Sequence, residues 1–137
     1  MNTLIALDEK QVDDIADRLA QASNQVLELR VRLNNALTSV PRQVLQDLRQ
    51  IEIHLDQMVA FFRAQGIYMI NQGAQQAVAN VNAAIEHGKQ TVADIHDTKA
   101  AIKAAAGLLD LAGALLSRNP LAVVEAANHL RAKPGAA

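Results

Sequence analysis

The first third of the chain carries apolar residues at spacings that alternate between three and four. They are Val12, Ile15, Leu19, Ala22, Val26, Leu29, Leu33, Ala36 and Val40. This alternation over about four heptads is typical of the a/d positions in coiled-coil-like packing. Asp8 stands where an N-cap is expected, and Gln11 is placed to complete a capping box. The pattern therefore predicts a first helix over approximately Glu9 to Leu37.

The same alternation returns in two further segments. Thr38, Ser39 and Pro41 mark a turn. A second helix is predicted by the apolar residues Val44, Leu48, Ile51, Leu55, Met58 and Phe62. Its pattern weakens after Phe62, and the next turn is expected at Asn71 to Gly73. The third run is Val78, Val81, Ile85, Gly88, Val92, Ile95, Lys99, Ile102, Ala106, Leu109, Gly113 and Leu116. His87 and Gly88 could end one helix, with Thr91 starting another, but the phase continues through Gly88 and favours one long helix. Asn119 and Pro120 then begin a short fourth helix that ends near Arg131.

These elements predict an all-α fold, an elongated antiparallel helical bundle with coiled-coil-like packing. Residues 1–132 form a single bundle of three long helices plus a short C-terminal helix, and residues 133–137 are expected to be a disordered tail. The composition agrees, because the chain has no Trp, one Tyr and two Phe. The third helix is expected to extend beyond the turn between helices 1 and 2, with the fourth helix folded back along it.

Residues 104–130, named here the apolar hairpin, are the segment that most needs a partner. Asp110 is the only charged residue between Ala104 and Leu116. A helix that is apolar on most sides must be covered on most sides, and three interpretations remain open: burial in a four-helix core, self-association, or docking on a membrane or another apolar surface. The predicted interaction residues are Leu108, Leu111, Leu115, Leu121 and Val124. On this interpretation, Leu111→Asp with Leu115→Asp should lower the oligomeric state while the helices persist.

Binding to a membrane surface is the alternative with one additional support. Arg30, Arg32, Arg42, Arg49, Lys99 and Lys103 are expected at the same end of the bundle as the apolar hairpin, as a basic collar suited to anionic headgroups. They are also interleaved with Glu28, Asp47 and Asp97, as on ordinary solvated helix faces. No segment reads as a transmembrane helix or signal peptide, so the default location is cytoplasmic, with secretion without a signal peptide as the open alternative.

The sequence contains few motifs that indicate catalysis or the binding of a metal or cofactor. The chain has no Cys, and His54, His87, His96 and His129 form no Glu-x-x-His or His-x-x-x-His motif, so no metal site is predicted. There is no Gly-x-Ser-x-Gly and no glycine-rich phosphate loop, which predicts no cofactor. The net charge is −1 with no basic run, and nucleic-acid binding is not expected. The sequence thus favours a non-catalytic protein that acts as a homo-oligomer or on a helical protein partner.

Overall fold

The computed structural model describes residues 4–35, 40–70 and 73–132. In this part of the chain, five helices pack against each other, and one small two-stranded sheet accompanies them. In chain order the elements are β1 (Leu4–Ala6), α1 (Glu9–Asn34), α2 (Arg42–Gln65), β2 (Tyr68–Ile70), α3 (Ala74–Ala93), α4 (Thr98–Ser117) and α5 (Pro120–Arg131). The predicted all-α class is therefore confirmed, whereas the number of helices is larger than predicted. The tail at 133–137 lies outside the described residues.

Helix α1 begins where the sequence predicted. The backbone N–H of Gln11 donates to Asp8 Oδ1 at 2.7 Å, and the backbone N–H of Asp8 donates to Gln11 Oε1 at 3.2 Å, which completes the capping box. The apolar seam of α1 faces the core, with these members buried: Val12, Ile15, Leu19, Ala22, Val26, Leu29 and Leu33. Asn34 ends the helix, and the predicted end at Leu37 lies outside the described residues.

The prediction of one long third helix is wrong, because the chain turns between α3 and α4. Helix α3 runs through Gly88 as expected but ends at Ala93. The side chain of Asp94 accepts from the backbone N–H of His96 at 2.9 Å, and Asp97 caps α4 by accepting from the backbone N–H of Ala100 at 3.0 Å. Aspartate side chains offer the backbone local partners in turns and at N-caps, and here two of them terminate one helix and start the next.

The turn shifts the buried face of the following helix by one residue. The predicted seam of this segment continues through Ile102, Ala106, Leu109, Gly113 and Leu116, whereas the buried positions are Ala101, Ala105, Leu108, Ala112 and Leu115. One residue corresponds to about 100° of rotation in an α-helix. Ile95, which the unbroken seam placed in the core, is 65% exposed in the turn. Continuity of the apolar pattern therefore did not imply continuity of the helix.

The sequence did not predict the sheet. β1 pairs antiparallel with β2, with Ile5 opposite Met69, and the backbone N–H of Leu7 donates to the carbonyl of Ile67 at 2.9 Å. Helix α2 ends at Gln65 because Gly66 adopts a positive φ of 84°, which glycine tolerates without steric cost. The sheet ties the segment before α1 to the connection between α2 and α3.

The core extends through all five helices, and α4 packs against α2, α3 and α5. Among the largest fully buried side chains are Leu19, Leu55, Phe62, Ile85 and Leu108. The predicted overhang of the third helix beyond the first turn is therefore wrong. Because the chain turns at 94–97, α4 returns along the other helices and buries its own apolar face against them.

Gly88 is a point of close approach between α3, α4 and α5, and a larger side chain there is expected to destabilise the fold. A Cβ atom at Gly88 would lie 2.9 Å from Leu130 Cδ1 and 3.0 Å from Leu108 Cδ2. Gly88→Val should lower the free energy of unfolding by about 1–3 kcal/mol through overpacking. Chemical denaturation followed by circular dichroism would measure the loss.

The matched control is Gly113→Ala in the interior of α4, where a Cβ would meet no heavy atom within 4 Å. This substitution should raise the free energy of unfolding by about 0.4–1 kcal/mol, because alanine loses less backbone entropy on folding. Equal stability of the Gly88→Val variant and the wild-type protein would contradict the close approach of the three helices.

Candidate interaction surface

The structure separates the five predicted interaction residues into two groups. Leu108, Leu111 and Leu115 are buried in the core of the chain itself. Leu121 and Val124 are exposed on α5, at 66% and 53% of their surface. Core leucines cannot contact a partner without unfolding, so only Leu121 and Val124 remain as surface contacts. For Leu108, Leu111 and Leu115 the structure corresponds to the first of the three interpretations, burial in the protein's own core.

The outer face of α5 carries the exposed apolar residues. Asn119 caps the helix by accepting from the backbone N–H groups of Leu121 and Ala122, and Pro120 occupies the first turn, where its missing N–H costs nothing. Val123, Ala127 and Leu130 then face the core. Leu121 and Val124, named here the α5 ridge, are both exposed. Their spacing of three makes them neighbours on one side of the helix.

The α5 ridge covers only the first turn of the outer face. Glu125, Asn128, His129 and Arg131 are the exposed residues that follow it along the helix, and all four are polar. The exposed apolar surface of α5 is therefore confined to the end of the helix that begins at Pro120, with a polar border beyond it. An apolar centre beside a polar rim is the usual arrangement of a protein–protein contact.

A cavity of about 300 Å³ lies beside this ridge, between α5, α3 and the sheet. Its lining is mostly apolar and consists of Leu4, Tyr68, Met69, Gly73, Gln76, Ala77, Asn80, Arg118, Pro120, Val123 and Val124. The guanidinium carbon of Arg118 lies 4.0 Å from the centre of the Tyr68 ring, a cation–π contact. We call this space the Arg118 cavity. Val124 contributes to both the ridge and the cavity, so the two features form one continuous region.

Sequence reasoning missed the part of this region that comes from the sheet. Leu4, Tyr68 and Met69 line the cavity from β1 and β2. The available signal was the apolar run from Ile67 to Ile70, which stands between Gly66 and Gly73 and is too short for a helix. Arg118 was also missed, because its role depends on the sheet being present beneath the connection between α4 and α5.

The basic residues predicted as a collar do not surround the α5 ridge. Arg30, Arg42 and Arg49 line a groove beside the connection between α1 and α2. Arg30 follows Glu9, at the sheet end of α1, by 21 residues (30 − 9), which is roughly 30 Å of helix. Lys103 lines a groove with His129 and Ala132, at the far end of α5 from Leu121.

One of these basic residues, Arg30, forms an ion pair between two helices of the bundle. Arg30 donates from Nε to Glu52 Oε2 at 2.5 Å and from Nη2 to Glu52 Oε1 at 3.2 Å. These hydrogen bonds to the Glu52 carboxylate raise the pKa of Arg30 above its ordinary value. A bidentate pair of this kind joins α1 to α2, and the Arg30 charge is neutralised at that position.

Helix α4 has the length and apolar composition of a membrane span, although the sequence analysis predicted no transmembrane helix. Among the described helices, α4 is long and apolar enough to cross a membrane by length and composition. Of its most apolar 18-residue stretch, 44% is buried inside the protein. A core helix of a water-soluble protein passes the same test, and α4 packs against α2, α3 and α5, with a smaller contact to α1. The core therefore covers one face of α4, whereas less than half of its apolar stretch is buried.

The histidines and carboxylates do not form a metal centre in the described residues, where no three of them are grouped to hold an ion. His87 Nε2 is buried without a hydrogen-bond partner, but no carboxylate accompanies it in such a group. The acidic side chains near the start of α1 are used partly in ion pairs, in which Arg63 donates to Asp17 at 2.7 Å and Arg18 donates to Asp14 at 3.3 Å.

Comparisons with known proteins give no external guide, since no protein-family model, no curated protein and no solved structure matches this chain. The features available for a functional assignment are therefore the α5 ridge and the Arg118 cavity. Both lie at the end of the bundle that carries the sheet, because Arg118 packs on Tyr68 of β2.

Proposed function

We propose that this protein is non-catalytic and acts through protein–protein interaction, with a second copy of the same chain as its partner. The contact is made by the α5 ridge of each copy. In a symmetric dimer the same surface is used by both subunits, so the ridge of one chain packs beside the ridge of the other. A helical protein with a similar apolar face would bind by the same packing.

The observation that carries this proposal is the exposure of Leu121 and Val124 side by side on one helix. Other exposed large hydrophobic residues in the described chain, besides Leu4, are Leu27, Val31, Ile53, Phe61, Ile95 and Leu116, and Leu27 and Val31 are also neighbours on one helix. The α5 ridge differs from these because Val124 lines the same mostly apolar cavity as Leu4, which is 41% exposed. Contiguous apolar surface of this kind marks interaction sites more often than isolated apolar residues do.

We also propose that neighbouring helices run antiparallel and pack in a coiled-coil-like manner within each subunit. The buried three-four alternation of α1, from Val12 to Leu33, supports seam packing of this type. The short connection 94–97 between α3 and α4 supports an antiparallel pair. A rigid bundle of this type would hold α5 in place and lower the entropic cost of association.

The direct test is the solution mass of the purified protein, measured by light scattering across a concentration series. The chain has a mass of 14.7 kDa, and we expect the measured mass to approach twice this value as concentration rises. Because the contact is apolar, the mass should persist in high salt. A mass of 14.7 kDa at every concentration would refute self-association.

Attachment to a membrane surface through the apolar hairpin is the second candidate. The observation that favours it is the apolar composition of α4 together with the exposed residues on α5. The distance of Arg30 from the α5 ridge weakens the role expected for a basic collar. Flotation with anionic vesicles distinguishes the candidates: binding that needs anionic lipid and weakens with salt would favour the membrane, whereas a salt-resistant dimer that stays unbound would favour self-association.

A further inference from the structure

Arg118 has no acidic partner among the described residues. The ion pairs in this part of the chain involve Arg18, Arg30, Arg63 and Lys89, and not Arg118. The remaining segments, 1–3, 36–39, 71–72 and 133–137, contain no Asp or Glu. The eleven described residues that line the Arg118 cavity include one charged residue, Arg118 itself. No described carboxylate therefore pairs with the positive charge at the rim of this apolar space, and its N–H donors face a site that an anion can enter.

The position of Arg118 is fixed by the backbone and by the ring beneath it. Arg118 has a positive φ of 59° at the end of α4, a left-handed conformation that places its side chain over β2. Contact with the Tyr68 ring at 4.0 Å then holds the guanidinium group at the rim of the cavity. A stacked guanidinium keeps its in-plane N–H donors, which suit the two oxygens of a carboxylate.

The residues that line the cavity favour a ligand with an apolar chain. Met69 and Val123 are buried, Leu4 and Val124 contribute exposed apolar surface, and Gln76 and Asn80 supply polar atoms. A volume of about 300 Å³ is at the lower limit for small-molecule sites, which are mostly apolar with a few placed polar groups. We propose that the Arg118 cavity binds a small monocarboxylate with an apolar chain, such as a medium-chain fatty acid. The carboxylate pairs with Arg118, and the chain occupies the space between β1, α3 and α5.

Calorimetric titration of the full-length protein with octanoate tests this proposal, with octanol and octylammonium as matched ligands that lack the negative charge. Octanoate should bind at least about tenfold more tightly than octanol, because a hydrogen bond to a charged group contributes at least that factor. Octylammonium should bind more weakly than octanol, since its charge repels Arg118. Acetate, which has the carboxylate without the chain, should show no measurable binding.

The matched variants are Arg118→Asn and Arg131→Gln. Asparagine tolerates the left-handed conformation at position 118, so this substitution removes the charge while the turn is kept. Arg118→Asn should reduce the preference for octanoate over octanol to about one, and Arg131→Gln at the far end of α5 should leave it unchanged. Equal affinity of the wild-type protein for octanoate and octanol would overturn the proposal, as would the absence of octanoate binding.

Ligand binding in this cavity does not require self-association, because one chain supplies all the described lining residues and Leu121 is not among them. The titrations are done at a protein concentration where light scattering gives the same mass for the wild-type protein and the Arg118→Asn variant. A monomeric protein that binds octanoate would then refute self-association alone. A dimer that does not distinguish octanoate from octanol would refute the ligand proposal alone.

Discussion

Leu111→Ala is expected to lower the free energy of unfolding by about 3 kcal/mol, which is a large share of the ~5–15 kcal/mol that stabilises a typical domain. Leu111 lies in α4 with no exposed surface, and its side chain belongs to the common core. The loss combines the transfer of apolar atoms with the cavity left by incomplete relaxation. Urea denaturation of the wild-type protein and the variant, followed by circular dichroism, measures the difference.

Leu121→Ala is the matched control, because it makes the same chemical change at a leucine that is 66% exposed. For the monomer it should change the free energy of unfolding by no more than about 0.5 kcal/mol. Equal losses in the two variants would show that α4 is not a core helix. The sequence-based expectation for Leu111→Asp with Leu115→Asp changes accordingly: two charges in the core should unfold the protein rather than dissociate it.

Helix α1 could be predicted in detail because local signals determine it. The capping box of Asp8 and Gln11 lies within one turn, and the apolar seam repeats often enough to specify one buried side. Both signals are read from neighbouring residues and require no knowledge of the rest of the fold. The same holds for the start of α5, where Asn119 and Pro120 form a cap and a first turn.

The break between α3 and α4 could not be read from periodicity alone. A turn that shifts the phase by one residue leaves an apolar residue at nearly every expected position, since alanine and leucine occupy both faces of α4. The better signal was the pair Asp94 and Asp97, which cap and turn the backbone. The two short strands were missed for a different reason: they are stabilised by pairing with each other across the whole of α1 and α2.

Only part of the candidate site could be predicted, because the sequence indicates which segment is apolar but not which of its residues the fold buries. Composition identifies a segment that needs covering, and residues 104–130 were selected on that basis. Which leucines are covered depends on where α4 lies against α2, α3 and α5, and a single sequence does not give that packing. The exposed pair, Leu121 and Val124, was included in the prediction, whereas the Arg118 cavity depends on the unforeseen sheet.

Leu121→Asp together with Val124→Asp is expected to weaken self-association while the fold persists. Each substitution removes an apolar contact worth about 1.4 kcal/mol or more at the centre of the proposed interface, and each 1.4 kcal/mol corresponds to about a tenfold change in affinity. The dissociation constant should therefore rise at least about 100-fold. Light scattering over a dilution series would show the monomer mass of 14.7 kDa at concentrations where the wild-type protein is larger, and circular dichroism should show unchanged helix content.

Ile95→Asp is the matched control for this experiment, because Ile95 is 65% exposed, almost the same as Leu121, but lies in the turn between α3 and α4. It should leave the dissociation constant unchanged. If the double variant keeps the wild-type mass, the α5 ridge is not the interface. If Ile95→Asp alone produces the monomer, the contact lies at the end of the bundle opposite the sheet. A monomer from the α5 double variant alone would assign the interface to α5.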